Sequence, residues 1–153
     1  MTIVHLREIN QDNWKQAIRI DVAPEQKRFV ASNLYSIAEA IFNPTYVPLA
    51  IYDEAVSSSK AETMVGFLMH GTNPDNDELW ILRLMVDQQY QGRGYGRAAM
   101  EEIIRRLRAR PDCQEIFTSY EPDNDVAARL YRSLGFEDTG RIEDGELVVC
   151  LRR

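Results

Sequence analysis

The strongest constraint on the fold is a stretch in which an apolar run meets a glycine-rich loop, and the loop empties directly into a helix. Residues 79–99 read Leu-Trp-Ile-Leu-Arg-Leu-Met-Val-Asp-Gln-Gln-Tyr-Gln-Gly-Arg-Gly-Tyr-Gly-Arg-Ala-Ala, with Gly92, Gly94 and Gly96 at alternate positions. Glycine lets successive amides turn inward without a Cβ in the way. The helix start adds unpaired N–H groups and a partial positive charge. Together these features suit a phosphate-bearing ligand.

The rest of the chain limits which ligand that is. A length of 153 residues fits one domain spanning residues 1–153. The net charge of −6 argues against nucleic acid and mildly favours a cationic partner. No apolar run approaches membrane-spanning length, and Met1 leads straight into a strand-like segment, so neither a membrane anchor nor a signal peptide is expected. Cys113 and Cys150 are too few for a disulfide framework, and with His5 and His70 they give no metal-ligand spacing. A cytoplasmic location and no metal are the expectation.

Alternating apolar residues predict strands at 2–8, 46–52, 63–70, 79–86, 115–120, 136–139 and 146–151. A short helix is predicted near Trp14, capped by Asn10 or Asp12. A longer one is predicted from Pro24 to Phe42, with Val30, Leu34, Ile37, Ala38 and Ile41 on its apolar face. Two more follow: one after the glycines with Ala99, Met100, Ile103, Ile104 and Leu107 on one side, and one from Asn124 to Leu134. Residues 53–60 and 71–77 read as loops, and Asp144-Gly145 as a hairpin turn. The order β-α-α-β-β-β-α-β-α-β-β predicts an α+β (mixed α/β) domain. Its one central, mostly antiparallel sheet has about seven strands, flanked by about four helices.

Three ligand readings compete for the glycine loop. A P-loop needs Gly-Lys-Ser/Thr, whereas Arg97 and Ala98 follow Gly96. A dinucleotide site fits Gly94-Tyr-Gly96-Arg-Ala-Ala99 literally, but that loop turns almost directly out of its strand, and here residues 87–93 intervene. In the third reading, Gln91-Gly-Arg-Gly-Tyr-Gly96 resembles the acetyl-CoA loop of the GNAT superfamily of N-acetyltransferases. Glu121-Pro-Asp-Asn124-Asp-Val-Ala-Ala-Arg-Leu-Tyr131-Arg-Ser-Leu-Gly-Phe136 resembles that superfamily's second motif. The element order matches the GNAT layout over essentially the whole chain. Short matches at 26–33, 36–40 and 135–146 resemble the bacterial spermine/spermidine (polyamine) acetyltransferase branch.

The resemblance implies transfer of an acetyl group from acetyl-CoA to a primary amine, a polyamine such as spermidine or spermine. The main chain of Leu84, Met85 and Val86 would pair with the pantetheine arm. Gln91, Gly92, Arg93, Gly94, Tyr95, Gly96 and Arg97 would surround the pyrophosphate, and Asn124 and Ala127 would contact the cofactor arm. From residue type alone, Asn124 is equally a helix cap, Arg93 and Arg97 equally solvated, and Tyr131 a core tyrosine. In the family, the tyrosine at the position of Tyr131 protonates the departing thiolate, which a phenol can do at neutral pH. Glu25, Glu39, Glu78 and Glu121 are candidates for holding a cationic acceptor, each with a bland alternative as a solvated carboxylate. Relatives carry an acid where this chain has Leu82, so the general base is open among Glu78, Glu121 and a water chain. That departure leaves two alternatives standing: acetylation of a protein N-terminus or other small amine, and a non-catalytic CoA-binding domain. A homodimer is compatible with the resemblance, with no interface legible in the sequence.

Overall fold

The apolar run that leads into the glycine loop folds as β4 (Leu79–Val86) and takes the middle of a seven-stranded sheet. The computed structural model describes residues 2–54 and 62–153; most of the loop expected at 53–60 lies outside the described residues. The other strands are β1 (Val4–Glu8), β2 (Val47–Asp53), β3 (Thr63–Thr72), β5 (Glu115–Tyr120), β6 (Glu137–Glu143) and β7 (Glu146–Arg152). Their spatial order is β1-β2-β3-β4-β5-β7-β6. Helices α1 (Trp14–Ala17), α2 (Asn33–Ile41), α3 (Tyr95–Arg108) and α4 (Asp125–Ser133) complete the fold. The expected class and element order both hold.

Two irregularities position everything that follows. All neighbouring strands are antiparallel except β4 and β5, which run parallel and share one register pair, Trp80 with Phe117. Beyond that pair the two strands part. The second irregularity is a bulge: the β3–β4 register passes from Met69–Arg83 to His70–Ile81, so Leu82 is the extra residue. A bulge of this kind bends its strand and reverses side-chain alternation. Accordingly Ile81, Leu84 and Val86 all pack with α3 and Tyr131, while Leu82 joins Trp80, Phe117, Val148 and Cys150 on the opposite face.

The helix expected from Pro24 to Phe42 is two elements. Residues Pro24–Phe29 form a 3-10 helix, Val30 is extended at φ −148°, and Ser32 caps α2 by accepting a hydrogen bond from the Tyr35 N–H at 3.1 Å. The break lets the buried Asn33 side chain donate to the carbonyls of Ala17 and Ile20. That orientation turns Leu34 and Ile41 outward, 58% and 74% exposed, so of the predicted apolar face only Val30 and Ile37 pack against the core. A smaller correction follows. Asn13, not Asn10 or Asp12, stands at the N-terminus of α1, while the Asn10 side chain closes the preceding turn by accepting from the N–H groups of Asp12 and Asn13. On α3 the ion pairs are Arg97–Glu101, Arg105–Glu102 and Arg106–Glu102.

Candidate active site

The parting of β4 from β5 opens a cavity of about 1340 Å³. One wall is the outer half of β4, another the glycine loop and the start of α3, and a third α4 with the end of β5. Drug-sized ligands occupy roughly 300–1,000 Å³, so this space suits something larger or two ligands at once.

On the β4 wall, the Asp87 N–H donates to the Val65 carbonyl at 2.8 Å, which sets the parity of the ladder. The main-chain groups of Met85 and Arg83 lie on that same side, paired with β3, and those of Leu84 and Val86 point toward the opening. The Val86 carbonyl accepts from Gln91 Nε2 at 3.0 Å. Of the expected trio, Leu84 therefore offers both its groups to the opening and Val86 its N–H. Met85 contributes its side chain to the other face of the sheet.

The glycine loop is held open from outside. Gly92 and Gly94 have φ of +78° and +87°, a region that favours glycine. The Thr2 hydroxyl donates to the Arg93 carbonyl at 2.9 Å, and Gln91 exchanges amide hydrogen bonds with Gln26. Gly94 precedes α3 in left-handed conformation, and the first α3 bond that returns to it is from Ala98 at 3.0 Å. Helix geometry leaves the N–H groups of Tyr95, Gly96 and Arg97 without intrahelical acceptors. The Tyr95 side chain is buried against Tyr90. Arg97 is engaged by Glu101 at 3.1 Å and by the Ser133 hydroxyl. Arg93 lies over the Tyr90 ring at 5.6 Å and does not line the cavity.

On α4, the Asn124 side chain accepts from the Ala127 N–H at 3.2 Å, which makes it a helix cap as well as a lining residue, and Ala127 lines the cavity beside it. Tyr131 is buried, with ring centroids 6.0 Å from Tyr120 and 5.7 Å from Phe136, yet its side chain borders the opening. Burial pushes its phenol up to about 12; the nearby Thr118 hydroxyl pulls the other way and the charge of Glu146 adds to the rise. The phenol is therefore protonated throughout the neutral range.

The four expected acceptor carboxylates do not gather here. Glu39 pairs with Arg83 at 3.1 Å, Glu25 is exposed, Glu121 stands outside the cavity, and Glu78 is gripped by Arg141 at 2.7 and 3.0 Å. The Arg141 guanidinium first of all, with Trp80 and Asn76 assisting, holds the Glu78 carboxyl below its usual range. Instead the turn from β6 to β7 brings Glu143, Asp144 and Glu146 to the cavity. Their positions beside a tight turn make them read as ordinary surface charge in sequence.

Residues 6–136 match the acetyltransferase (GNAT) family model. The chain belongs to that family. It is thus an N-acetyltransferase whose acetyl donor is acetyl-CoA. This GNAT chain is 28% identical over 153 residues to the spermine/spermidine N(1)-acetyltransferase of Bacillus subtilis, covering 95% of this chain and 96% of that protein. Its fold superposes on a domain from Methanocaldococcus jannaschii with a TM-score of 0.79, 14% identity and complete coverage (100%) of both chains. It also superposes on the spermidine N-acetyltransferase of Vibrio cholerae, solved with CoA and spermine, with a TM-score of 0.72 and 13% identity over 96% of this chain and 92% of that one. The residues present suit acetyl-CoA: a Cβ on Gly92 would meet nothing within 4 Å, and the start of α3 leaves the N–H groups of Tyr95, Gly96 and Arg97 without intrahelical acceptors. Among the described residues no helix is long and apolar enough to cross a membrane.

Proposed function

We propose that this GNAT enzyme acetylates a primary amine of a polyamine such as spermidine or spermine. The observation that carries the reading is the acidic turn at the cavity: Glu143, Asp144 and Glu146 line it, and Asp144 and Glu146 have no ion-pair partner among the described residues. A flexible polycation gains from several spaced carboxylates, and a single bound charge gains little. The full-length similarity to the Bacillus subtilis spermine/spermidine enzyme supports the same class.

The amides of Gly92 to Arg97 hold the pyrophosphate in this reading, and Leu84 pairs with the pantetheine arm as an added strand would. Arg97 tethers the loop end to α4 through Ser133. Tyr131 gives its proton to the sulfur as the carbon–sulfur bond breaks, so the leaving group departs as a thiol. A cytoplasmic site of action fits Cys113 and Cys150, which are buried and unpaired.

The test is a turnover comparison of spermine, spermidine and peptide N-termini at matched concentrations with acetyl-CoA. Polyamines are expected to give the higher kcat/KM, and a preference for peptide amines would replace the polyamine reading with N-terminal acetylation.

A further inference from the structure

Leu82 leaves β4 without a carboxylate at the opening, yet an ammonium cannot attack a carbonyl until it loses a proton. One carboxylate at the cavity is aimed by a neighbouring hydroxyl. Glu146 begins β7 directly after the Asp144–Gly145 turn, whose residues have φ of +50° and +80° and fix the direction in which the strand sets out. Alternation along β7 puts the Glu146 side chain on the face of Val148 and Cys150, and alternation along β5 puts Ser119 on the face of Phe117. These are the same face of the sheet. The Ser119 hydroxyl donates to Glu146 Oε1 at 2.9 Å, which aims the carboxylate, and Oε2 has no hydrogen-bond partner among the described residues.

Tyr131 reaches the opening from the other face, within the cluster that holds Tyr120 and Val149. The gap between β4 and β5 is thus flanked by a phenol on one side and a carboxylate on the other, both lining one cavity. The two are near enough for the charge of Glu146 to act on the Tyr131 phenol. Several other carboxylates are committed elsewhere: Glu78 to Arg141, Glu39 to Arg83, Asp123 to Arg28 and Glu143 to Arg141. Asp125 and Asp144 also line the cavity without an ion pair, but neither has a side-chain hydrogen bond of the kind that aims Glu146.

We propose that Glu146 is the general base of the acetyl transfer, deprotonating the acceptor ammonium on the face of the sheet opposite Tyr131. The inference rests on the amine-acetylation reading above. Glu146 takes one N–H proton, and the freed nitrogen lone pair forms the carbon–nitrogen bond. The carbon–sulfur bond then breaks and the sulfur takes the Tyr131 proton. The second N–H proton of the attacking nitrogen restores the phenol, and Glu146 releases the first to solvent. The net release is one proton per acetyl-ammonium exchange. Burial raises the Glu146 carboxyl most, Ser119 and the Arg83 guanidinium on β4 oppose that rise, and Glu121 beyond β5 and Asp144 in the turn reinforce it. A raised carboxyl is a stronger base than an exposed one.

The test uses Glu146→Gln, which keeps the size of the side chain and an acceptor oxygen for Ser119. With spermidine near neutral pH, kcat is expected to fall about 100-fold or more while the Kd for acetyl-CoA is retained. The wild-type pH–rate profile is expected to bend on its acid side, and the variant to lose that bend and rise in proportion to the free-amine fraction. A weakly basic amine that is already neutral at the assay pH is expected to narrow the gap between the two enzymes to within about threefold. A variant with wild-type kcat and profile would overturn the assignment while leaving the amine-acetylation reading intact. So would an equal loss with the neutral amine, which would mark a merely structural role. A wild-type enzyme that turns over no amine at all would overturn both.

Discussion

The Thr118 hydroxyl donates to the Ile81 carbonyl at 2.9 Å, one residue beyond the single β4–β5 register pair, Trp80 with Phe117. A side chain thereby takes over from the main chain at the point where the strands part. Thr118→Val removes that bond and is expected to cost about 1–2 kcal/mol in urea unfolding. It should also lower kcat, because Thr118 sits against the Tyr131 phenol. Thr118→Ser keeps the donor and should restore most of both.

Tyr131→Phe keeps the ring between Tyr120 and Phe136 and removes the phenol hydrogen. The expected result is a fall in kcat of about 100-fold or more with polyamine acceptors, with acetyl-CoA affinity by calorimetry little changed. An unchanged rate would remove Tyr131 from the chemistry.

Gly66→Ala tests the close approach of β3 to β4. A Cβ at Gly66 would lie 2.4 Å from the Met85 carbonyl oxygen, a backbone atom that cannot swing aside. The expected loss is about 2 kcal/mol or more, seen as a lower denaturation midpoint. Gly92→Ala differs in kind. Nothing stands within 4 Å of its Cβ, so the cost is the +78° φ alone, about 1 kcal/mol of stability, with weaker acetyl-CoA binding as the larger effect.

His70 is 7% exposed, and its Nδ1 has no hydrogen-bond partner. Burial, with Arg110 and Arg106 nearby, lowers its pKa from 6.5 to about 4. The unfolded chain therefore binds this proton first as the pH falls. Stability contributed by neutral His70 is complete above pH 6.5 and is lost as the pH drops toward 4, by up to about 3 kcal/mol. Chemical denaturation across that window should show the slope, and His70→Leu should flatten it.

Much of the glycine-loop wall of the cavity was legible because its determinants are local. The strand, glycines and helix start lie within residues 79–99, and the α4 cap is a residue and its own next turn. The wall formed by the turn from β6 to β7 was not, because its determinants are relations between distant segments. Arg141 and Glu78 lie far apart in the chain, and only the sheet order that places β7 beside β5 brings Glu146 to Ser119. The bulge at Leu82 adds one residue to an apolar run and leaves no mark on its pattern. The break before α2 was missed for a related reason. Ser32 and Asn33 are acceptable inside a helix, and only the partners waiting on Ala17 and Ile20 decide otherwise.

The main-chain N–H of Leu84 has no strand to bond to where β5 has moved away. Its exchange with solvent deuterium should accordingly be fast compared with that of Met85, which sits one residue along the same strand and is bonded to β3. Acetyl-CoA, by supplying an acceptor, should slow Leu84 far more than Met85, so one amide in the middle of the sheet becomes a label-free reporter of cofactor occupancy.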